Sequence, residues 1–344
     1  MPEASTLRVM DLPSPYLLFL GDTTERGYAK TAFGLRDWAP ERCLGEWSCP
    51  GATVTTRLAR LTPREAFALG AKALVIGVAN SGGVISETWI PALTEALEEG
   101  LHLISGMHAK LAAIPSLKDA ADRHGRKLID VRTPPPNIPV ASGRKRTGKR
   151  LLTVGTDCAI GKKYAALALA RAFAERGAPV HFRATGQTGI LIAGGGLPMD
   201  SVVSDFEAGA AELLSPDAPA RHWDVIEGQG SLFHPAYAGV SLGLLHGSQP
   251  DLIVVCHDPA RAQMLGLPDY PMPGIAETME LNLMLGARTN PAIRCAGVSL
   301  NTSSLTADAA AELLARESER FGCPVADPIR GGAHFERLVD ACLA

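Results

Sequence analysis

Short apolar segments alternate with segments of helical length along the first part of the chain. The continuous apolar run at 73–79 is typical of a parallel strand buried on both faces. Thr62 and Pro63 fit the N-cap and the first position of a helix. We predict the other strands at 15–21, 101–105 and 127–131 and the other helices at 90–99 and 116–124. This alternation predicts a small doubly wound α/β domain, whereas the stretch between the first strand and Gly51 shows no clear pattern.

The second part of the chain repeats the alternation on a larger scale. We predict strands at 151–154, 179–184, 223–227, 251–256 and 294–300, and helices at 162–176, 201–214, 236–246, 274–286 and 307–321. A polar turn is predicted at 185–189. The pattern indicates a second α/β domain with a mostly parallel sheet. Ligands of such sheets bind beyond the carboxyl ends of the strands, so the polar residues that follow each strand are the candidate site.

A proline-rich stretch that becomes basic separates the two parts, at residues 134–150. The predicted segments are a first domain at 1–140, a basic linker at 141–150 and a second domain at 151–344. The charges fit an ordinary solvated linker. In a second interpretation, Arg144, Lys145 or Arg146 contacts a ligand phosphate.

The stretch from Arg150 to Tyr164, RLLTVGTDCAIGKKY, combines an apolar strand, a loop bounded by glycines and the start of a helix. The backbone N–H groups of such a loop and the positive end of the helix dipole face an anion. The common form, G-x-x-x-x-G-K-[ST], ends in a hydroxyl that binds magnesium. Lys163 replaces that hydroxyl here, which favours a diphosphate site over magnesium-dependent triphosphate chemistry. The candidate binding residues are Gly155, Thr156, Asp157, Cys158, Gly161, Lys162 and Lys163.

Several other polar residues follow predicted strands. Glu227, in IEGQGS, fits a general base, a metal ligand or the cap of the next helix, and the missing loop hydroxyl favours the base over the metal ligand. Arg183, followed by TGQTG, fits either a carboxylate-binding site with Thr185, Gln187 and Thr188 or a surface ion pair. His234 and His246 are placed to titrate near neutrality or to serve as structural histidines.

Cys158 has two interpretations of its own. It lies near a helix N-terminus and two lysines, an environment typical of reactive thiols, so it is a candidate nucleophile for an acyl-enzyme. A small side chain packed under the loop explains the residue equally well.

Composition narrows the class of protein. The 344 residues are 46% hydrophobic and 20% charged, with a net charge of −3, which gives no electrostatic reason to expect nucleic acid or a membrane as a partner. Seven scattered cysteines lack the spacing of a disulfide or zinc framework. The N-terminus shows no leader pattern, and no apolar run reaches about 18 residues. We therefore expect a soluble cytoplasmic protein with small-molecule partners, and a homo-oligomer on general grounds.

Two family resemblances follow from these motifs. GTDCAIGKK, IEGQGS and GVSLN occur in an order similar to that of the dethiobiotin-synthetase branch of P-loop proteins. That likeness implies that Asn301 binds an adenine ring, that Glu227 faces the phosphate loop and that Arg183 lies beside a second substrate. It also keeps open an ATP-dependent ligase or kinase, or a nucleotide-binding regulatory protein.

The second resemblance covers nearly the whole chain. PYLLFLGDT, VIGVANSGG, GTDCAIGKKY, FRATGQTGIL and WDVIEGQGSLFHP resemble a P-loop family that includes D-glutamate N-acetyltransferases and whose members have also been labelled NAD-dependent epimerase/dehydratase. The resemblance implies a Rossmann-like N-terminal domain, a P-loop NTPase-like C-terminal domain, acetyl-CoA as donor and a D-amino acid, chiefly D-glutamate, as acceptor. The dehydrogenase label finds no support, because no G-x-G-x-x-G opens a helix after a strand.

Acetyl transfer assigns roles to these residues. The loop would hold the coenzyme A phosphates without a metal, while Asn301 reads the adenine. Glu227 is the first choice for the base and His234 the second, with backbone N–H groups of 228–231 as oxyanion donors. The substrate carboxylates would be held by Arg183, Thr185 and Gln187, with Asn80 and Ser81 from the first domain.

Overall fold

The computed structural model of the protein describes residues 12–344, and of Ser81 only the backbone. The N-terminal decapeptide lies outside these residues. The chain divides into two compact units. The N-terminal unit contains the described residues up to Pro134 together with 187–201, and the C-terminal unit contains 135–186 and 202–344.

The N-terminal unit is built on a five-stranded sheet. Its elements are β1 (Tyr16–Phe19), α1 (Lys30–Trp38), β2 (Cys43–Trp47), α2 (Pro63–Ala68), β3 (Ala73–Ile76), α3 (Ile90–Glu98), β4 (His102–Ser105), α4 (Pro115–His124) and β5 (Leu128–Asp130). The strand order is β2-β1-β3-β4-β5, and every pairing is parallel. All residues of β1 and β3 are buried, as the continuous apolar runs predicted. Thr62 caps α2 through a reciprocal hydrogen-bond pair with Glu65, as predicted.

The C-terminal unit is built on a six-stranded sheet. The chain forms β6 (Lys149–Gly155), α5 (Lys162–Glu175), β7 (Val180–Arg183), α6 (Gln187–Ala193), α7 (Glu207–Leu214), β8 (Trp223–Ile226), α8 (Ala238–Ser248), β9 (Leu252–His257), β10 (Gln263–Met264), β11 (Leu267–Pro271), α9 (Ile275–Gly286), β12 (Arg294–Leu300), α10 (Ala307–Phe321), β13 (Val325–Ala326) and α11 (Gly332–Leu343). Of these, α6 belongs to the N-terminal unit. The parallel strand order is β13-β12-β9-β6-β8-β7, so β6 is central and its carboxyl end lies among those of its neighbours. The predicted α/β class with mostly parallel sheets is confirmed.

The segment 187–201 differs from the prediction. The polar turn expected at 185–189 is instead the start of α6, which packs against α1. The hydroxyls of Thr188 and Thr31 lie 3.0 Å apart and are both buried. A first domain that ended at the linker would therefore lack α6, the helix that packs against α1.

Other elements escaped prediction. They are α1, β2, the antiparallel hairpin of β10 and β11, β13 and the final helix α11. The helix expected at 201–214 is shorter, because α7 begins only at Glu207. Among the described residues, no helix is both long enough and apolar enough to cross a lipid bilayer.

The basic stretch before β6 is held by the C-terminal unit itself. Arg144 pairs with Asp217 at 2.5 Å, and Lys145 pairs with Asp251 at 2.8 Å. The guanidinium of the buried Arg146 donates to the carbonyl oxygen of Gly247 at 2.7 Å. These partners favour a structural role of the basic residues over contact with a ligand phosphate, but the burial of Arg146 shows that the stretch is not simply a solvated linker.

Candidate functional site

The phosphate loop joins the end of β6 to the start of α5. Thr156 N donates to the carbonyl oxygen of Cys256 on β9 at 3.2 Å, which ties the start of the loop to the adjacent strand. Gly161 has a φ of +110°, a conformation that side chains rarely adopt, immediately before the helix. The predicted order of strand, tight loop and helix is therefore present, and the N-terminus of α5 faces the loop.

Asp157 fixes the middle of the loop. Its side chain is fully buried, and its Oδ2 accepts from Leu265 N at 2.8 Å and forms an ion pair with Arg261. Arg261 Nη1 also donates to the carbonyl oxygen of Cys158 at 2.9 Å. Asp157 Oδ1 has no hydrogen-bond partner among the described residues. One arginine therefore holds both a side chain and a backbone group of the loop.

Lys162 lies across the loop at the first position of α5. Its Nζ donates to the carbonyl oxygen of Asp157 at 2.6 Å. Burial lowers the pKa of Lys162, while the acidic groups around it, including Asp157 and Glu227, act in the opposite direction. Lys163, at the position of the usual loop hydroxyl, places its Nζ 4.5 Å from the ring centre of Tyr164. The two lysines therefore have different environments, and Lys162 is the one inside the loop.

Glu227 lies at the carboxyl end of β8, next to that of β7. Its side chain is 4% exposed, and Oε2 accepts from Thr185 N at 3.0 Å and from Gly186 N at 3.1 Å. The hydroxyl of Thr185 donates to the carbonyl oxygen of Glu227 at 2.7 Å and accepts from Gln229 Nε2 at 3.0 Å. The next helix, α8, begins eleven residues later with Tyr237 at its N-cap. Glu227 is therefore not that helix cap, and the base remains the favoured interpretation.

Gly228 brings the Glu227 turn against the phosphate loop. Its N–H donates to Thr153 Oγ1 on β6 at 3.0 Å. A Cβ atom on Gly228 would overlap the carbonyl oxygen of Thr153 and lie 3.1 Å from Lys162 Cδ. Ser231 Oγ, in the same turn, donates to the carbonyl oxygen of Thr156 at 3.0 Å. The turn and the loop therefore form one packed site.

His234 faces this site from the loop before α8. Its Nδ1 accepts from Ala236 N at 3.1 Å, and its ring stacks on Tyr237 with centres 4.5 Å apart. Its Nε2 lies 4.0 Å from Asp157 Oδ1. The other candidate is His246. The distance from its Nε2 to the carbonyl oxygen of Leu285 is 3.1 Å, which indicates a structural role.

Within residues 12–344, two groups of three side chains have potential metal-ligand atoms within 4.8 Å of one another. One comprises Asp157, Cys158 and His234, and the other comprises His181, His222 and Asp224. In the first, His234 Nδ1 accepts a hydrogen bond from Ala236 N, so the proton of the neutral ring lies on Nε2. In the second, Asp224 already accepts from Arg183, Ser215 and His222. In each group at least one side chain therefore already uses its ligand atoms in other hydrogen bonds, although Asp157 Oδ1 in the first group has no hydrogen-bond partner among the described residues.

The residues predicted to hold substrate carboxylates have other partners. Arg183 Nε donates to the buried Asp224 at 2.8 Å, so the structure gives this arginine the ion pair that was the alternative interpretation. The amide group of Asn80 makes two hydrogen bonds to the backbone of Val84, which close a turn. Gln187 lies in the N-terminal unit against Gly106, and the side chain of Ser81 lies outside the described part of the structure. Among the described members, Thr185 contacts Glu227 directly.

Asn301 follows β12 at the same sheet edge as the phosphate loop. Its backbone N–H donates to the carbonyl oxygen of His257 at 2.9 Å, and its Nδ2 donates to Asp258 at 3.0 Å. His257 Nδ1 lies 3.0 Å from Thr156 Oγ1 in the phosphate loop. Two hydrogen bonds, both made by His257, therefore connect the backbone of Asn301 to the phosphate loop.

Sequence reasoning missed the role of Arg261. The residue pairs with Asp157 from 104 positions away in the chain. The available signal was an arginine close after a strand that neighbours the loop strand. That signal locates the residue at the correct edge but does not identify its partner.

Two ranges of the sequence match models of known protein families. Residues 139–339 match a family model described as the P-loop domain of DUF1611, a domain of unknown function, and residues 47–134 match its Rossmann-like N-terminal domain. The chain belongs to the DUF1611 family. The predicted combination of a Rossmann-like and a P-loop domain is therefore confirmed.

Relatives with a reported activity extend the comparison. A D-glutamate N-acetyltransferase of Pseudoalteromonas sp is 50% identical, over 94% of this chain and 97% of the relative. A D-glutamate N-acetyltransferase of Tritonibacter scottomollicae is also 50% identical, over 97% of this chain and 99% of the relative. The crystal structure of a DUF1611 family protein from Anabaena variabilis superposes with a TM-score of 0.84 at 32% identity, covering 95% of this chain and 98% of that one. The second of the two resemblances is confirmed by these matches.

Proposed function

We propose that this DUF1611 protein is an N-acetyltransferase that moves the acetyl group of acetyl-CoA to the amino group of D-glutamate or a related D-amino acid. The observation that carries the proposal is the near full-length 50% identity to two proteins named D-glutamate N-acetyltransferase. The loop chemistry is compatible with it, because Lys163 occupies the position of the hydroxyl that binds magnesium in the common P-loop.

The phosphate loop is the proposed site for the phosphates of coenzyme A. Lys162 supplies the positive charge, and the backbone N–H groups from Asp157 to Lys163 supply donors, whereas the N–H of Thr156 is already bonded to the carbonyl oxygen of Cys256. Lys162 Nζ would exchange the carbonyl oxygen of Asp157 for a phosphate oxygen. Asn301, linked to the loop through His257, would bind the adenine.

Glu227 is the proposed general base. The amino group of an amino acid is mostly an ammonium ion at neutral pH and must lose a proton before it attacks the thioester. The carboxylate of Glu227 is buried beside the loop and oriented by two backbone N–H groups. Arg183 would have to leave Asp224 to bind a substrate carboxylate, so we assign it a positioning role through that ion pair.

One assay tests the proposal. The purified protein is mixed with acetyl-CoA and D-glutamate, and the release of the free thiol is followed across a panel of D- and L-amino acids. We expect release with D-glutamate and little with L-glutamate. No release with any amino acid would refute the transferase, and ATP turnover that depends on magnesium would favour the ligase alternative. Tight nucleotide binding without turnover would favour the regulatory alternative.

A further inference from the structure

The contacts of His234 determine which ring nitrogen carries its proton. A backbone N–H can only donate, and Ala236 N donates to His234 Nδ1 at 3.1 Å. The lone pair of Nδ1 is therefore occupied, and the neutral ring carries its proton on Nε2. A nitrogen that already bears a proton cannot act as a general base or as the activator of a cysteine thiol.

Nε2 of His234 lies beside the phosphate loop, where acetyl-CoA is proposed to bind. Nε2 lies 4.0 Å from Asp157 Oδ1, and a ring nitrogen of His234 lies within 4.8 Å of Cys158 Sγ. His234 is 4% exposed, and the ring is fixed by its stacking on Tyr237. Asp157 Oδ1 has no hydrogen-bond partner among the described residues, so an otherwise unbonded carboxylate oxygen lies on the Nε2 side of the ring. Arg261 balances the charge of Asp157 on the opposite side of the carboxylate.

We propose that His234 is a catalytic hydrogen-bond donor that stabilises the oxyanion of the thioester during acetyl transfer, and that Asp157 is the positioning residue that keeps the donor proton on Nε2. The proposal rests on the acetyltransferase function proposed above. It replaces the role of His234 as second-choice base and adds a side-chain donor to the backbone N–H groups of 228–231.

The step balances with this assignment. Glu227 takes one proton from the substrate ammonium, and the amine lone pair forms the C–N bond to the acetyl carbon. The carbonyl π electrons move to oxygen, which accepts a hydrogen bond from His234 Nε2–H. The electrons return to the carbonyl as the C–S bond breaks, and the coenzyme A sulfur leaves with that pair and receives the second amine proton. Glu227 releases its proton to solvent, and His234 keeps its own proton throughout.

Two substitutions of His234 separate a donor from a base. The amide nitrogen of glutamine can reach the position of ring Nε2, so H234Q keeps a donor there but cannot accept a proton. The shorter asparagine reaches only the position of Nδ1, so H234N keeps an acceptor for Ala236 N and loses the donor. We expect kcat to fall on the order of 100-fold in H234N and to stay within about tenfold of the wild type in H234Q. The KM for acetyl-CoA should change little in both.

Further readouts make the test independent of folding. Coenzyme A binding by calorimetry verifies that both variants are folded, and ring ¹⁵N chemical shifts of wild-type His234 report which nitrogen is protonated. H234Q should also keep the shape of the wild-type pH–rate profile. The donor role would be overturned if kcat fell equally in the two variants while coenzyme A binding was retained. It would also be overturned if the wild-type ring were protonated on Nδ1. Both results would leave the transferase function intact. Wild-type protein that releases no thiol would instead overturn the transferase, and the donor role with it.

Discussion

Arg261 and Asp157 form an ion pair that closes the phosphate loop from the side of β9, and the same guanidinium donates to the carbonyl oxygen of Cys158 at 2.9 Å. The aspartate is fully buried, so the arginine compensates a charge that water cannot reach.

Removing Arg261 should therefore destabilise the protein. We expect Arg261→Ala to lower the free energy of unfolding by about 3 kcal/mol, because it leaves a buried carboxylate without its counter-charge. Arg261→Lys keeps the charge but loses the second donor, so its loss should be smaller. Urea unfolding of the three proteins measures the difference. Equal stability of Arg261→Ala and the wild type would show that the ion pair does not hold the loop.

Lys162 should contribute strongly to coenzyme A binding. A charge-assisted hydrogen bond to phosphate is worth about 2 kcal/mol, so Lys162→Ala should raise the dissociation constant roughly 30-fold. Lys118→Ala is the matched control, because Lys118 lies exposed on α4 and pairs with Asp122. Isothermal titration with coenzyme A measures both variants. Unchanged affinity in Lys162→Ala would remove the loop from the proposed site.

Glu227→Gln should separate turnover from binding. The amide keeps an oxygen for the N–H groups of Thr185 and Gly186 but cannot take a proton at neutral pH. We expect kcat to fall by roughly 100-fold or more, with acetyl-CoA affinity largely retained. Glu280→Gln, on the exposed side of α9, is the control for loss of a carboxylate. Near wild-type turnover of Glu227→Gln would end its assignment as the base.

Gly228 should not tolerate a side chain. A Cβ atom there would overlap the carbonyl oxygen of Thr153, so Gly228→Ala should destabilise the protein by about 3 kcal/mol and weaken coenzyme A binding. Gly239→Ala is the matched control, because Gly239 lies in α8 with open space around its missing Cβ. That substitution should raise stability by about 0.5 kcal/mol. Thermal unfolding compares the pair, and equal melting temperatures would contradict the close contact.

Buried thiols should make stability fall at alkaline pH. Burial raises the pKa of Cys256, Cys295 and Cys342 to about 12. A raised pKa means that the folded state holds the thiol proton when the unfolded chain has lost it. Each thiol therefore contributes full stability below its unfolded pKa of about 8.5 and loses it towards pH 12, by up to about 1.4 kcal/mol per pH unit.

Urea unfolding between about pH 8 and pH 10 tests this linkage. Cys342→Ala removes one buried thiol that is far from the phosphate loop in sequence. The free energy of unfolding of this variant should therefore fall less steeply with rising pH than that of the wild type. Identical slopes for the two proteins would show that Cys342 does not contribute.

Elements with a strong local pattern were predictable from the sequence. The strand, loop and helix around Gly161 follow each other in the chain, and their apolar and glycine positions are determined locally. In contrast, β2 has the sequence CLGEW, which neither alternates cleanly nor forms a continuous apolar run. The segment TGQTG resembles a turn, but the burial of Thr188 and the residues after it stabilises a helix there.

The sequence predicts where the residues of the candidate site lie on the sheet, but it does not predict which side chains interact. Glu227, Asn301 and the loop all follow strands of one parallel sheet, so the sequence places them at one edge. The partners of Arg183 and Asp157 depend on how strands and the following loops align in three dimensions, which no local pattern contains. The proton position on His234 likewise depends on one backbone N–H two residues away.

The contribution of 187–201 to the N-terminal unit sets an order for folding during synthesis. Domains generally fold as units as the chain emerges, beginning with the N-terminal one. Here α6 is translated only after β6, α5 and β7 of the other unit. The ribosome must therefore pass residue 201 before the first unit has all of its parts, and a gene fragment that stops at the linker encodes an incomplete domain.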